Sequence, residues 1–153
     1  METEENKMNI NSRIISTVYQ GKLAISPGKI IGWAAYNRTR FYNNSFFADE
    51  NLHEFIEEIR KCNFERILYL APKKDDERAI SQIKILVQTF GDKKITAVTR
   101  KKIEEKFISK DQNNDECLDD KIMDECKNRS FPAQNMQEAL SIAVMMTEKQ
   151  GEH

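Results

Sequence analysis

The sequence predicts an α/β fold: a mixed five-stranded sheet, ordered β-β-β-α-β-α-β-α along the chain, with helices covering it. Three observations point there. Residues 22–47, KLAISPGKIIGWAAYNRTRFYNNSFF, hold three short runs rich in Ile, Phe and Tyr, broken by Ser26-Pro27-Gly28-Lys29 and by Asn37-Arg38. That is the pattern of an antiparallel three-strand meander. Downstream, strand-length apolar runs alternate with stretches of helical period, as parallel strands and crossover helices do. The 153 residues, 39% hydrophobic and 32% charged, describe one globular domain with a heavily charged surface.

Residues 1–12 are polar and carry Glu2, Glu4, Glu5 and Lys7. With little apolar surface to offset ordering entropy, they read as a mobile tail, taken to residue 19, with the domain at 20–150. Ile14, Ile15 and Val18 leave either an extra strand or a helical turn open for 13–19. The meander follows, with Asp49 or Asn51 expected to cap a first helix. Its Leu52, Phe55, Ile56 and Ile59 fall at i, i+3, i+4 and i+7, and Asn63 ends it. Residues 66–71, RILYLA, form a buried strand parallel to the first.

Pro72 breaks that strand, and a second helix spans 76–90. Ile80, Ile83, Val87 and Phe90 form its stripe, widened by Ala79 and Leu86. Ile85 falls round the other side with Gln82 and Thr89, an outlying apolar residue of the kind any surface carries. Gly91-Asp92 closes the helix, and residues 95–98, ITAV, form the last strand. A basic helix or turn at 99–107, a polar loop at 109–115 and an acidic helix at 116–127 come next. After a break at Phe131-Pro132, the final helix spans 133–148, with Met136, Leu140, Val144 and Thr147 on one side and Ala139, Ile142, Ala143 and Met146 beside them.

Composition excludes several classes. No apolar run approaches the roughly 20 residues of a membrane span, and no apolar leader opens the chain, so a cytoplasmic protein is expected. A net charge of -1, from 24 basic and 25 acidic residues, argues against a protein coated in nucleic acid and leaves room for one basic face. Cys62, Cys117 and Cys126 fit no zinc spacing and read as reduced thiols. His53 and His153 give Ser-His-Asp or Cys-His catalysis no support. Gly28-Lys29-Ile30 lacks the length and the following Ser or Thr of a phosphate loop.

Leu23 to Trp33, LAISPGKIIGW, followed by Ala34-Ala35-Tyr36, resembles the opening of the RuvC-type Holliday junction resolvases, nucleases of the ribonuclease H-like superfamily. Their motif there is apolar-apolar-Asp-Pro-Gly, then Lys or Thr, then Gly-Trp-Ala. Asn135-Met136-Gln137-Glu138-Ala139-Leu140-Ser141-Ile142-Ala143 is similar to the family's Asp-x-x-Asp-Ala-Leu-Ala-Ile-Ala. The likeness spans residues 22–146 and implies the ribonuclease H-like fold, a dimer and a role in DNA recombination.

The family's chemistry needs Asp and Glu oxygens around two Mg²⁺ ions about 4 Å apart. Carried over by the resemblance, its carboxylate positions become Ser26, Leu70, Asn135 and Glu138. One carboxylate of four remains, which implies a pseudoenzyme with no catalytic residue and no metal, Mg²⁺ being expected only if activity is retained. Asp75, Asp76 and Glu77 follow Leu70 closely and are the candidates for a rebuilt site. The alternative for them is the solvated first turn of a helix. Asp115, Glu116, Asp119, Asp120, Asp124 and Glu125 lack the Gly and spacing of a calcium loop and read as a solvated helix face.

Three functions compete. In the first, an inactive resolvase-like protein binds branched or structured nucleic acid through Lys29, Arg38, Arg40, Lys73, Lys74, Arg100, Lys101 and Lys102, with Tyr36, Phe41 and Tyr42 offered for base stacking. In the second, the fold is a structural or protein-interaction subunit. The acidic helix then faces a basic partner, and the 76–90 helix self-pairs. The third is a metal-dependent junction endonuclease with a rebuilt site. Convergence of the cations on one face favours nucleic acid; interruption by acidic residues favours a protein partner.

Overall fold

The computed structural model describes residues 20–37, 41–107 and 118–150. The N-terminal tail, Arg38, Arg40, Cys117, His153 and the 109–115 loop lie outside the described residues. Strand β1 (Gln20–Ser26) ends at Pro27, and β2 (Ile30–Tyr36) returns antiparallel to it, with Ile25 opposite Trp33 and Ser26 opposite Gly32. Strand β3 (Phe41–Ala48) completes the meander, with Asn44 opposite Ala34. A 3₁₀ turn, Asp49–Asn51, leads into α1 (Leu52–Arg60). Strand β4 (Asn63–Leu70) runs parallel to β1, and α2 (Glu77–Phe90) crosses over to β5 (Ile95–Val98), parallel to β4. Helices α3 (Arg100–Phe107), α4 (Leu118–Asn128) and α5 (Met136–Gln150) follow. The sheet order is β3-β2-β1-β4-β5, the mixed α/β arrangement expected.

The two sheet faces carry residues of different size, because side chains alternate along a strand. Leu23, Ile25, Ile31 and Trp33 face α1 and α2, where they pack with Phe55, Ile59 and Leu86. The Phe47 and Phe55 rings lie 4.5 Å apart there. Ala24, Ala34, Leu68 and Leu70 face the other way, against α5. Small residues on the central strands let α5 lie close to the sheet, and Ala139 to Met146 are buried along its length. The closest approach is at Gly32, where a β-carbon would stand 2.2 Å from the Gln137 carbonyl oxygen. Only glycine fits beneath the first turn of α5. Helix α2 stops at Gly91, whose φ of 88° is left-handed and whose N–H donates to Val87 O at 2.8 Å.

Three local expectations are corrected. Asn63 begins β4 instead of ending the first helix. A register shift opposite Gly21 and Lys22 puts Phe64 and Ile67, three residues apart, in one core, and this break in the two-residue period hides the strand's start. Asn51 takes the N-cap position of α1 as expected, but neither it nor Asp49 supplies a side-chain capping bond. The Asp49 carboxylate instead accepts from Gln82 Nε2 at 2.5 Å and from Arg78 at 3.3 Å. Ile85 is not outlying. Its side of α2 carries the buried Gln82, and Ile85 is half-buried against the same core.

Candidate functional site

Strands β1 and β4 run parallel and end side by side, and the chain leaves them at Pro27 and after Ala71. In open α/β sheets such carboxyl ends are where ligands are bound. A cleft of about 240 Å³ opens here, lined by Ser26 to Lys29, Leu70 to Lys73, Asp76, Ala79, Arg100, Gln137 and Leu140. Buried Leu70 and Leu140 give it an apolar floor.

The Ser26–Lys29 turn is clamped from two sides. Gln82 Nε2 donates to Gly28 O at 2.8 Å, and Gln82 Oε1 accepts from the Gly28 N–H at 2.9 Å. The Asp49 N–H donates to Lys29 O at 3.1 Å. From α5, Gln137 Oε1 accepts from the hydroxyl of fully buried Ser26 at 2.6 Å. With Oε1 so engaged, the donor end of the amide lies over Gly28, Nε2 standing 3.8 Å from where a β-carbon would be.

Asn135 and Glu138 have structural partners. Asn135 is the N-cap of α5, its Oδ1 accepting from the Glu138 N–H at 2.9 Å. Glu138 does not line the cleft. Its carboxylate is buried and accepts from Asn44 Nδ2 on β3, which also donates to Pro132 O at 3.3 Å. Glu138 Oε2 and Asn44 Oδ1 are buried there without a hydrogen-bond partner among the described residues. Burial pushes the Glu138 carboxyl above its ordinary range, and the backbone N–H of Gln134 and the Asn44 amide only partly offset this.

Of the cations singled out in the sequence, Lys29, Lys73 and Arg100 line the cleft, while Lys74, Lys101 and Lys102 are exposed outside it. Arg100 also lies 3.8 Å from Asp119 on α4. Asp76 lines the cleft, but its Oδ1 caps α2 by accepting from Ala79 N at 3.0 Å. Asp75 and Glu77 are exposed and do not line it. Tyr36 is corrected as a stacking residue: it is buried in the α5-side core, where no base can reach it. Cys62 and Cys126 carry thiols that burial, the larger cause, and a neighbouring glutamate push up to about 11, so both stay protonated at neutral pH.

A pair of Mg²⁺ ions does not fit this donor set. Among the described residues no three His, Cys, Asp or Glu side chains come together as a metal group. The cleft offers a hydroxyl, an amide and one capping carboxylate, beside three cations that repel a metal ion. Gln82, Asn44 and Gln137 were missed as site residues in the sequence. Gln82 stands off the stripe of its helix, and Gln137 lies one position before the residue that the motif aligns; for Asn44 no signal was present.

No family model matches the sequence, and no curated protein matches it. Solved structures do. A Thermus thermophilus RuvC structure matches with a TM-score of 0.56 and 8% identity, over 86% of this chain and 95% of that one. The Fowlpox virus resolvase, solved with its substrate Holliday junction DNA, matches with a TM-score of 0.52 and 11% identity, over 85% of this chain and 99% of that one. At such identities the likeness concerns the fold, and the fold is that of the RuvC-like resolvases.

Proposed function

We propose that this chain, whose fold is that of the RuvC-like resolvases, binds branched nucleic acid without cutting it and without a metal cofactor. The observation that carries this reading is the lining of the cleft at the ends of β1 and β4. Ser26, Leu70 and Gln137 meet there, with Lys29, Lys73 and Arg100 around them. Cations neutralise phosphates directly and need no bridging ion. The Holliday junction seated on the Fowlpox virus resolvase supports a four-way junction as the first substrate to test.

The test is binding of the purified chain to a labelled four-way DNA junction over a salt series, with Mg²⁺ present. Junction affinity above duplex affinity, falling steeply with salt and with no product formed, is expected. Absence of binding at low salt overturns the reading. Cleavage that requires Mg²⁺ and is lost in Asp76→Ala also overturns it, in favour of a rebuilt nuclease.

One observation favours a second reading, a protein-interaction subunit. Asp119 reaches Arg100, and Asp120 and Asp124 are exposed on the same helix, α4. An acidic face beside the cleft suits a partner with basic surface, and retention of such a partner by a chain that ignores junction DNA would establish it.

A further inference from the structure

We propose that the cleft is a metal-free seat for one phosphodiester group, held by Lys29, Lys73 and Arg100 and by the donor end of the Gln137 amide. This rests on the nucleic-acid reading above and names the atoms of the nucleic acid that the cleft engages.

Charge is the first argument. Among the described residues, three cations share one opening with a single carboxylate, Asp76, which is already occupied in capping α2. Like charges gathered around an apolar floor repel one another, and a bound anion relieves that repulsion. The positive potential comes from these side chains, because the three helix N-termini at the cleft are already capped, that of α5 by Asn135. Asp76 accepts from Ala79 N in α2, and Thr99 Oγ1 accepts from the Lys102 N–H in α3 at 3.2 Å.

Donor polarity is the second argument. A carboxylate at position 26 would need a metal between itself and a phosphate. Ser26 instead donates into Gln137 Oε1 and thereby turns an N–H₂ group, not an oxygen, toward Gly28 and the cleft. An amide donor held in place by the Ser26 hydroxyl and three cations form a consistent set for phosphate oxygens, which accept only. Size is the third argument: about 240 Å³, open to solvent, has room for a phosphate group. The contact between Arg100 and Asp119 sets a competitor, since a phosphate must displace that carboxylate to engage the guanidinium.

The experiment is a ¹H–¹⁵N NMR titration of the full chain with thymidylyl-thymidine, a dinucleotide with one phosphodiester, in EDTA. Its neutral methylphosphonate analogue is the control. Expected are shifts of the Gln137 side-chain amide and of the Gly28, Lys29 and Lys73 backbone N–H groups, absent with the analogue and not tightened by Mg²⁺. Gln137→Leu and the pair Lys73→Gln with Arg100→Gln should abolish them. Asp119→Asn should tighten binding by about two- to five-fold, the usual worth of an exposed ion pair. That gain cannot come from misfolding. Equal shifts with the analogue, shifts that appear only with Mg²⁺, or none at these groups overturn the seat.

Junction binding by the same proteins separates the two ideas. Lys73→Gln with Arg100→Gln should lower the slope of log affinity against log salt by about 1.8, from about 0.9 per cation. A junction bound while the dinucleotide leaves these signals unmoved sinks the seat and spares the reading. A dinucleotide seated in the cleft by a chain that binds no junction does the reverse.

Discussion

Gln137 and Glu138 are consecutive residues in the first turn of α5, about 100° apart around its axis, and they enter two unlike surroundings. Gln137 reaches an open cleft with three cations, a buried hydroxyl and an apolar floor. Glu138 reaches a buried niche on β3, where Asn44 Nδ2 donates to it and two further oxygens have no donor among the described residues. The chemically stronger group sits in the structural position, and the neutral amide sits where a ligand would bind. Motif alignment assigns residues to positions along a chain. Rotation around a helix decides which of them meets the cleft, and a difference of one residue exchanges the two roles.

Both places meet the sheet at Gly32, and a substitution there disturbs them together. A β-carbon there would collide with the backbone of α5, 2.2 Å from Gln137 O and 2.8 Å from Glu138 N. Gly32→Ala should cost about 3 kcal/mol in urea denaturation, the upper end of overpacking costs, because the obstruction is backbone and cannot rotate away. Any remaining fold should lose the contact between Ser26 and Gln137 as well as that between Asn44 and Glu138. A loss below about 1 kcal/mol would show that α5 does not rest on β2 in this way.

The fold was more legible in the sequence than the site, for physical reasons. Strand and helix periods are properties of many residues together, so the Leu52-Phe55-Ile56-Ile59 stripe and the ITAV run survive local irregularities. Ser26, Leu70 and Asn135 were legible as departures from a motif. The residues that organise the cleft were not, because Gln82 and Gln137 act through partners 54 and 111 positions away. An amide in a helix carries no sign of which distant backbone or hydroxyl it will meet. Glu138 was legible as a carboxylate, but its direction is set by the packing of α5 on Gly32, a tertiary fact. Asn44 lies in a strand where polar residues are ordinary, and only its pairing with Glu138 across the fold marks it.

Two truncations separate the niche from the cleft. Glu138→Ala leaves the buried Asn44 amide with only its 3.3 Å bond to Pro132 O, and should cost about 2 kcal/mol. Phosphodiester shifts at the cleft should persist in it. Gln82→Ala removes both amide bonds to Gly28 and should cost about 1.5 kcal/mol, less because the cleft admits water to the freed groups. It should loosen the Ser26–Lys29 turn and weaken phosphodiester binding while leaving the niche intact. If Glu138→Ala abolished the cleft shifts, or Gln82→Ala left them unchanged, the two places would not be independent.

The smallest effect tests the niche by charge alone. Desolvation raises the folded-state pKa of Glu138 above its ordinary 4.5. Below 4.5 the carboxyl is protonated in both states, and its full contribution to stability is present. As pH rises above 4.5 the unfolded chain releases the proton first, so that contribution is lost until the folded carboxyl also ionises. Glu138→Gln keeps the shape, never ionises, and replaces the unpartnered Oε2 by an N–H₂ donor in the niche that holds the acceptor Asn44 Oδ1. It should therefore match or exceed the wild-type chain in stability at pH 8, and its advantage should shrink as pH falls toward 4. The readout is the difference in urea midpoint between the two proteins across that range, which cancels the carboxylates they share. If the wild-type chain instead gained on the variant as pH rose, the carboxylate would be charged and well paired, and the buried structural niche would be a second polar site.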